Sequence, residues 1–256
     1  PESIVNEAVV FAQARKIDGV VGFGGGSSMD IAKLIAVLTN SQQTLSEIFG
    51  VDNIKGERLP LIQIPTTAGT GSEVTPISII TTGETTKMGI ISEQLIPDIA
   101  LLDASLTLTL PPHITAATGI DAMVHAIEAY TSAIKKNPYS DMLARQALKL
   151  MSSNIRKAVH QGNDLEARSN MMLGAALAGQ AFANAPVAAI HALAYPLGGH
   201  FHIPHGLSNS LVLPHVMRFN AVNASELYAE LAQIILPQGS LSEGDSQHQI
   251  VNLAAI

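Results

Sequence analysis

The chain of 256 residues predicts an α/β part over residues 1–109 followed by an all-helical part over 110–256. Three observations carry this. Short apolar runs that empty into Gly- or Thr-rich loops recur in the first part, as strands feeding tight turns do. Strand patterns stop at Leu110-Pro111-Pro112, and helix-period segments follow. Asp121, His125, His191 and His205 all fall in the helical part, where the surrounding sequence is apolar and a histidine needs a reason to be present.

Taken in order, residues 2–16 repeat Ile4, Val5, Ala8, Val9 and Ala12 at helical spacing, with Pro1 suitably placed at the start. Gly19-Val20-Val21-Gly22-Phe23 reads as a short buried strand running into Gly24-Gly25-Gly26-Ser27-Ser28, and helix signals resume at MDIAKLIAVLTN. A strand, a glycine turn and a helix N-terminus together offer backbone N–H groups and a positive dipole end to a phosphate. A ligand-free tight turn is the competing reading of that motif. A second strand, 59–64, leads into PTTAGTGSEVT, which crowds Thr66, Thr67, Thr70 and Ser72 with glycines before a helical turn. Beside the first loop it resembles the other wall of a nucleotide cleft at the carboxyl ends of parallel strands. Residues 77–81 and 88–91 alternate around Gly83 as a hairpin carrying Lys87, and 99–102 reads as one more buried strand. Helices are expected near 112–133, 138–160, 164–182 and 186–199, after 205, and near 224–235, with Gly198-Gly199 and Pro204 interrupting the run.

Composition narrows the function classes. Net charge is −7 and the 14 Lys and Arg are scattered, so there is no footprint of nucleic-acid binding. Absence of Cys removes disulfides, iron–sulfur ligation and thiol catalysis, and fits a reducing compartment. No apolar run approaches the roughly 20 residues of a membrane span. The expectation is a cytoplasmic protein without membrane partners. Pro1 in place of Met and the abrupt end at VNLAAI suggest a piece of a longer chain.

The chemistry concentrates in GIDAMVHAIEAYTS, where a helix puts Asp121 and His125 at i and i+4 on one face and Glu128 continues that face. A carboxylate and an imidazole on adjacent turns can share one divalent cation, and AIHALAYPLGGHFHIPHG supplies His191 and His205 as further ligands. One Asp with three His suits Fe²⁺ or Zn²⁺ and is poor for Mg²⁺ or Ca²⁺. A locally bonded Asp and core histidines are the competing reading, and His200 and His202 can substitute on composition alone.

In this order and at these distances, GFGGGSSMDIAK, IPTTAGTGSEVT, TAATGIDAMVHAIEAYTS and HALAYPLGGHFHIPHGLSNSLVLPHV resemble the iron-containing (group III) alcohol dehydrogenases. The resemblance implies a Rossmann-like nucleotide-binding part, lacking its first strand–helix–strand unit, and a helical metal-binding and catalytic domain, in the dehydroquinate-synthase-like architecture. It puts Asp121, His125, His191 and His205 on the family's metal-ligand positions, for Fe²⁺ or Zn²⁺. It puts Gly24, Gly25, Gly26 and Ser27 on the pyrophosphate loop with Asp30 completing the motif, Thr66, Thr67 and Thr70 on the second nucleotide loop, and Lys87 on a cofactor contact. Tyr195 stands where many members carry a second histidine near the nicotinamide. The implied activity is hydride transfer between a small alcohol or aldehyde and NAD or NADP, by a homo-oligomer, expected as a dimer. Two rivals remain: a sugar-phosphate cyclase-type lyase of the same architecture, whose Lys/Arg cluster the helical half lacks, and a catalytically incomplete fragment that only binds metal.

Overall fold

A computed structural model describes residues 1–83 and 86–236. These divide into two compact units, Pro1–Thr67 with Gly71–Leu106, and Ala68–Thr70 with the residues from Thr107 onward.

The first unit is α/β. Helix α1 (Glu2–Arg15) leads to strand β1 (Val20–Gly24), helix α2 (Gly26–Leu38), a 3-10 turn at Leu45–Glu47 and a short strand β2 (Gly50–Val51). Strands β3 (Leu61–Pro65), β4 (Ile77–Thr82), β5 (Thr86–Ile91) and β6 (Ile99–Ala100) complete it. One sheet has the order β1-β3-β6, all parallel; the other has the order β2-β5-β4, with β4 and β5 antiparallel. The core gathers where α2 meets the second sheet: Leu34, Val37 and Leu38 pack with Val5, Ile48, Ile80, Ile90 and Leu95. A smaller cluster of Ala32, Ala36, Leu59 and Leu61 seats α2 on β3.

Two sequence expectations need correction here. Of the strands read as buried, β1 is covered on one face only, and 99–102 is exposed at every position. Val21, Phe23 and Ile99 are more than half exposed, whereas Gly22 and Leu61 are buried. An apolar run looks the same whether one or both sheet faces are covered, so composition could not separate the two cases.

The second unit is helical: α3 (Pro112–Thr131), α4 (Pro138–His160), α5 (Leu165–Asn184), α6 (Ala189–Phe201) and α7 (His205–Ile235). Local sequence sets the helix starts. Pro112 opens α3, where the missing N–H costs nothing; Asn137 and Ser140 form a capping box on α4; Asp164 caps α5 through the Ala167 N–H at 2.8 Å. Helix α3 is packed by α4, α5 and α7 and is buried almost continuously from Gly119 to Tyr130. It is therefore a central helix, with no solvent face on which to discharge its polar side chains. Helix α6 runs through Pro196, Gly198 and Gly199, past the interruption expected there, and ends where His202 turns left-handed (φ 55°). The two segments expected after 205 are two helices, treated together as α7, that meet at a kink at Ala224, where the backbone is non-helical (φ −130°, ψ 21°). No single helix among the described residues is long and apolar enough to cross a membrane.

Candidate active site

Asp121, His125 and Glu128 recur at i, i+4 and i+7 on α3, and each is 5% exposed or less. Three ionisable side chains inside a central helix are costly unless they are bonded or ligate something. Their partners come from α6 and α7. His191 presents its ring to α3 from the first turn of α6, and His205 is the first residue of α7. One ligand atom each from Asp121, His125 and His191 lies within 4.8 Å of the others. The rings of His125 and His191 stack at 4.5 Å, and Phe182 stacks on the other side of His125 at 4.4 Å. His205 stands at the mouth of the set, with its side chain 42% exposed and Nε2 3.6 Å from Asp121 Oδ1. Tyr195 lies nearly parallel to the His205 ring at 5.7 Å.

Gly206 lets α7 come this close. A Cβ there would lie 2.1 Å from the Ala117 carbonyl oxygen, so only glycine permits α7 to start against α3.

The donors suit a divalent cation. Burial pushes the His125 pKa down to about 3; Asp121 partly opposes this, while His191 and His205 add to it. His125 is thus neutral and able to offer a lone pair, and its Nδ1 is buried without a hydrogen-bond partner. The backbone of Gly69, from the short piece that groups with this unit, also weakly opposes the effect of burial on His125. An acceptor-only carboxylate among imidazole nitrogens, with one nitrogen unbonded, has the chemistry of a ligand shell.

Sequence reasoning missed Asn209. It is fully buried, and its Nδ2 donates to Asp121 Oδ1 at 2.5 Å while lying 3.3 Å from His191 Nε2 and 3.4 Å from His205 Nε2. Its amide thus faces three of the four candidate ligands. The i+4 step from His205 on α7 was the available signal. The metal-capable group among the described residues is Asp121, His125 and His191; His205, like His200 and His202, is exposed and lies outside it, although its Nε2 is near Asp121.

In the α/β unit the two loops meet. The Thr66 N–H donates to the Gly24 carbonyl at 2.9 Å, which ties the end of β3 to the end of β1. Gly24 has φ +145°, open to glycine, and Gly25, Gly26 and Ser27 form the start of α2, which has no side-chain cap of its own. Its first N–H groups are therefore not consumed by a cap. Thr67 lies beside Gly25, whereas Thr70 belongs to the helical unit.

Asp30 faces inward. Its Oδ1 accepts from Ser72 Oγ at 2.7 Å and its Oδ2 accepts from the Ile79 N–H at 2.9 Å, pinning α2 to the second loop and β4. Burial raises its pKa, against the pull of Lys33 and these bonds. Lys33, fully buried, donates to the Thr75 and Ile77 carbonyls at 2.9 and 2.7 Å, and burial lowers its pKa to about 8. Lys87 is exposed on β5 and donates to Thr81 Oγ1 across the hairpin.

Comparison with known proteins decides the family. Residues 1–104 match the iron-containing alcohol dehydrogenase family, and residues 115–255 match the C-terminal part of the Fe-containing alcohol dehydrogenase family. The chain belongs to the iron-containing alcohol dehydrogenase family. Among its relatives, long-chain-alcohol dehydrogenase 1 of Geobacillus thermodenitrificans is 46% identical over 96% of this chain and 62% of its own length. Among solved structures of the family, a 1,3-propanediol oxidoreductase superposes with a TM-score of 0.94 at 35% identity, covering 99% of this chain and 67% of its own. A sulfoacetaldehyde reductase from Bifidobacterium kashiwanohense, solved in complex with NAD+, gives 0.84 at 31% identity, over 98% and 66%. The chain thus spans about three fifths of the length of the first family relative it matches.

Proposed function

We propose that this chain carries the metal-binding and nucleotide-binding elements of an alcohol dehydrogenase that transfers a hydride between a small alcohol or aldehyde and a nicotinamide cofactor. The observation that carries the proposal is the buried Asp121–His125–His191 set, with one ligand atom from each within 4.8 Å, in a chain of an iron-containing family. Asp121, His125, His191 and His205 would hold Fe²⁺, and the same donors accept Zn²⁺. When bound, the ion supplies Lewis-acid polarisation of the substrate oxygen.

The chain's own residues do the rest. Burial keeps His125 unprotonated at neutral pH, so the site presents lone pairs rather than competing protons. Phe182 and Tyr195 stack on His125 and His205 and hold their ring planes, and the stacked rings crowd water out around His125. In the α/β unit, Gly24, Gly25, Gly26 and Ser27 would bind the cofactor pyrophosphate at the α2 N-terminus, with Thr66 and Thr67 alongside. Asp30 supports that loop from behind. Thr70, Lys87 and Tyr195 are assigned further contacts with the cofactor. Residues 1–109 then serve as the dinucleotide-binding domain and 110–256 as the metal and catalytic domain. NAD is the cofactor favoured over NADP, because a relative of similar fold was solved with NAD+.

Calorimetric titration of the metal-free protein with Zn²⁺ tests the reading. The wild-type chain should take up a single ion, and Asp121→Asn should lose more than about 100-fold in affinity, beyond what removal of an outer partner costs. Equal binding by both forms refutes the site. Reduced-cofactor absorbance with a panel of small alcohols then tests turnover.

A further inference from the structure

Glu128 has no role in the reading above, yet it is 3% exposed and uses both carboxylate oxygens. Oε2 lies 2.6 Å from His191 Nδ1, and Oε1 accepts the Ile190 N–H at 2.7 Å. Both partners sit in the first turn of α6. That helix begins after Ala188, whose methyl side chain cannot cap it. The first N–H groups of a helix need acceptors, and its positive end favours an anion. Glu128 supplies both from α3, more than 60 residues away in sequence.

We propose that Glu128 is a positioning residue that caps α6 and, through the same carboxylate, fixes the tautomer of His191 so that its Nε2 lone pair faces the metal site. An ionised carboxylate only accepts, so a 2.6 Å contact requires the proton on Nδ1. Nε2 is then the bare nitrogen, and it is the one turned inward, 3.8 Å from Asp121 Oδ1. One face of α3 therefore supplies two ligands and the group that orients a third. This rests on the metal reading above, but the tautomer can be measured without metal.

Glu128→Gln gives a sharp outcome. Glutamine has a single side-chain acceptor, and the Ile190 N–H can only donate. Its carbonyl must therefore serve Ile190, and its amide N–H₂ must face Nδ1. Imidazole can change tautomer where a backbone amide cannot, so the His191 proton should move to Nε2 and block the lone pair. The experiment is long-range ¹H–¹⁵N correlation on ¹⁵N-histidine-labelled, metal-free protein, with Zn²⁺ affinity measured by competition against a chromophoric chelator. The expected result is Nδ1–H at His191 in the wild type, Nε2–H in Glu128→Gln, and a loss of about 10–100-fold in Zn²⁺ affinity. A wild-type His191 protonated on Nε2 overturns the proposal, as does a variant with unchanged tautomer and affinity. If Glu128→Gln does not fold, the wild-type tautomer alone decides. A wild-type protein that shows Nδ1–H but binds no Zn²⁺ refutes the metal reading and leaves the Glu128 contact standing.

Discussion

Gly206→Ala tests whether the site depends on how closely α7 approaches α3. The added Cβ would lie 2.1 Å from the Ala117 carbonyl oxygen and 2.6 Å from its carbon. A carbon–oxygen contact is comfortable at about 3.3 Å, so the start of α7 must retreat by roughly 1.2 Å. The obstacle is helix backbone, which cannot swing aside as a side-chain tip could. Overpacking of this kind costs about 1–3 kcal/mol. His205 precedes the substituted residue, and Asn209 lies one turn beyond it, so both move with it. Ligand distances tolerate only about 0.2 Å, and the retreat exceeds that severalfold, so Zn²⁺ affinity should fall at least about tenfold.

The chain has no Trp, so urea unfolding is best followed by far-UV circular dichroism, where the helical unit dominates the signal. Gly198→Ala is the control. Gly198 lies within α6 and its Cβ would meet only the carbonyl of Ile203, just past the helix end, at 3.5 Å, so helix propensity should stabilise it by up to about 1 kcal/mol. A Gly206→Ala protein that unfolds at the wild-type midpoint and binds Zn²⁺ with wild-type affinity would show that α3 and α7 do not meet at Ala117.

Two further predictions concern the α/β unit. Lys33→Met keeps the length and apolar stem of the side chain but leaves the Thr75 and Ile77 carbonyls, and the Asp30 and Glu73 carboxylates, without their cation. Breaking a buried arrangement of this kind costs about 3–5 kcal/mol, and a change below about 1 kcal/mol in urea unfolding would refute the clamp. Glu73, 3% exposed, has its pKa raised by burial from 4.5 to about 6, so the native state holds a proton that the unfolded chain releases. Its contribution is complete below about pH 4.5 and is lost as pH rises through about 6, a difference of about 2 kcal/mol. The stability of Glu73→Gln relative to wild type should therefore improve by about that amount between about pH 4 and pH 8, and a flat difference refutes the assignment.

The sequence by itself determined what depends on neighbours along the chain. The step from Asp121 to His125 follows from the helical period, the break at Pro111-Pro112 from proline chemistry, and the glycine turn after Phe23 from the need for positive φ at Gly24. The four motifs and their order carried the family, because a sequence pattern survives without its geometry. What only the tertiary structure decided is what one element does to another. The carboxylate of Glu128 reaches the first turn of α6, the amide of Asn209 turns toward Asp121, and Gly206 meets Ala117. Asp30, which the motif places in the nucleotide loop, faces Ser72 and Ile79, since its orientation is set by β4 rather than by the loop. The exposed faces of β1 and β6 belong to the same class. Periodicity along a chain reports which residues share a face, whereas the partner of that face comes from segments tens of residues away, and the bonds and approach distances between them have no signature in local sequence.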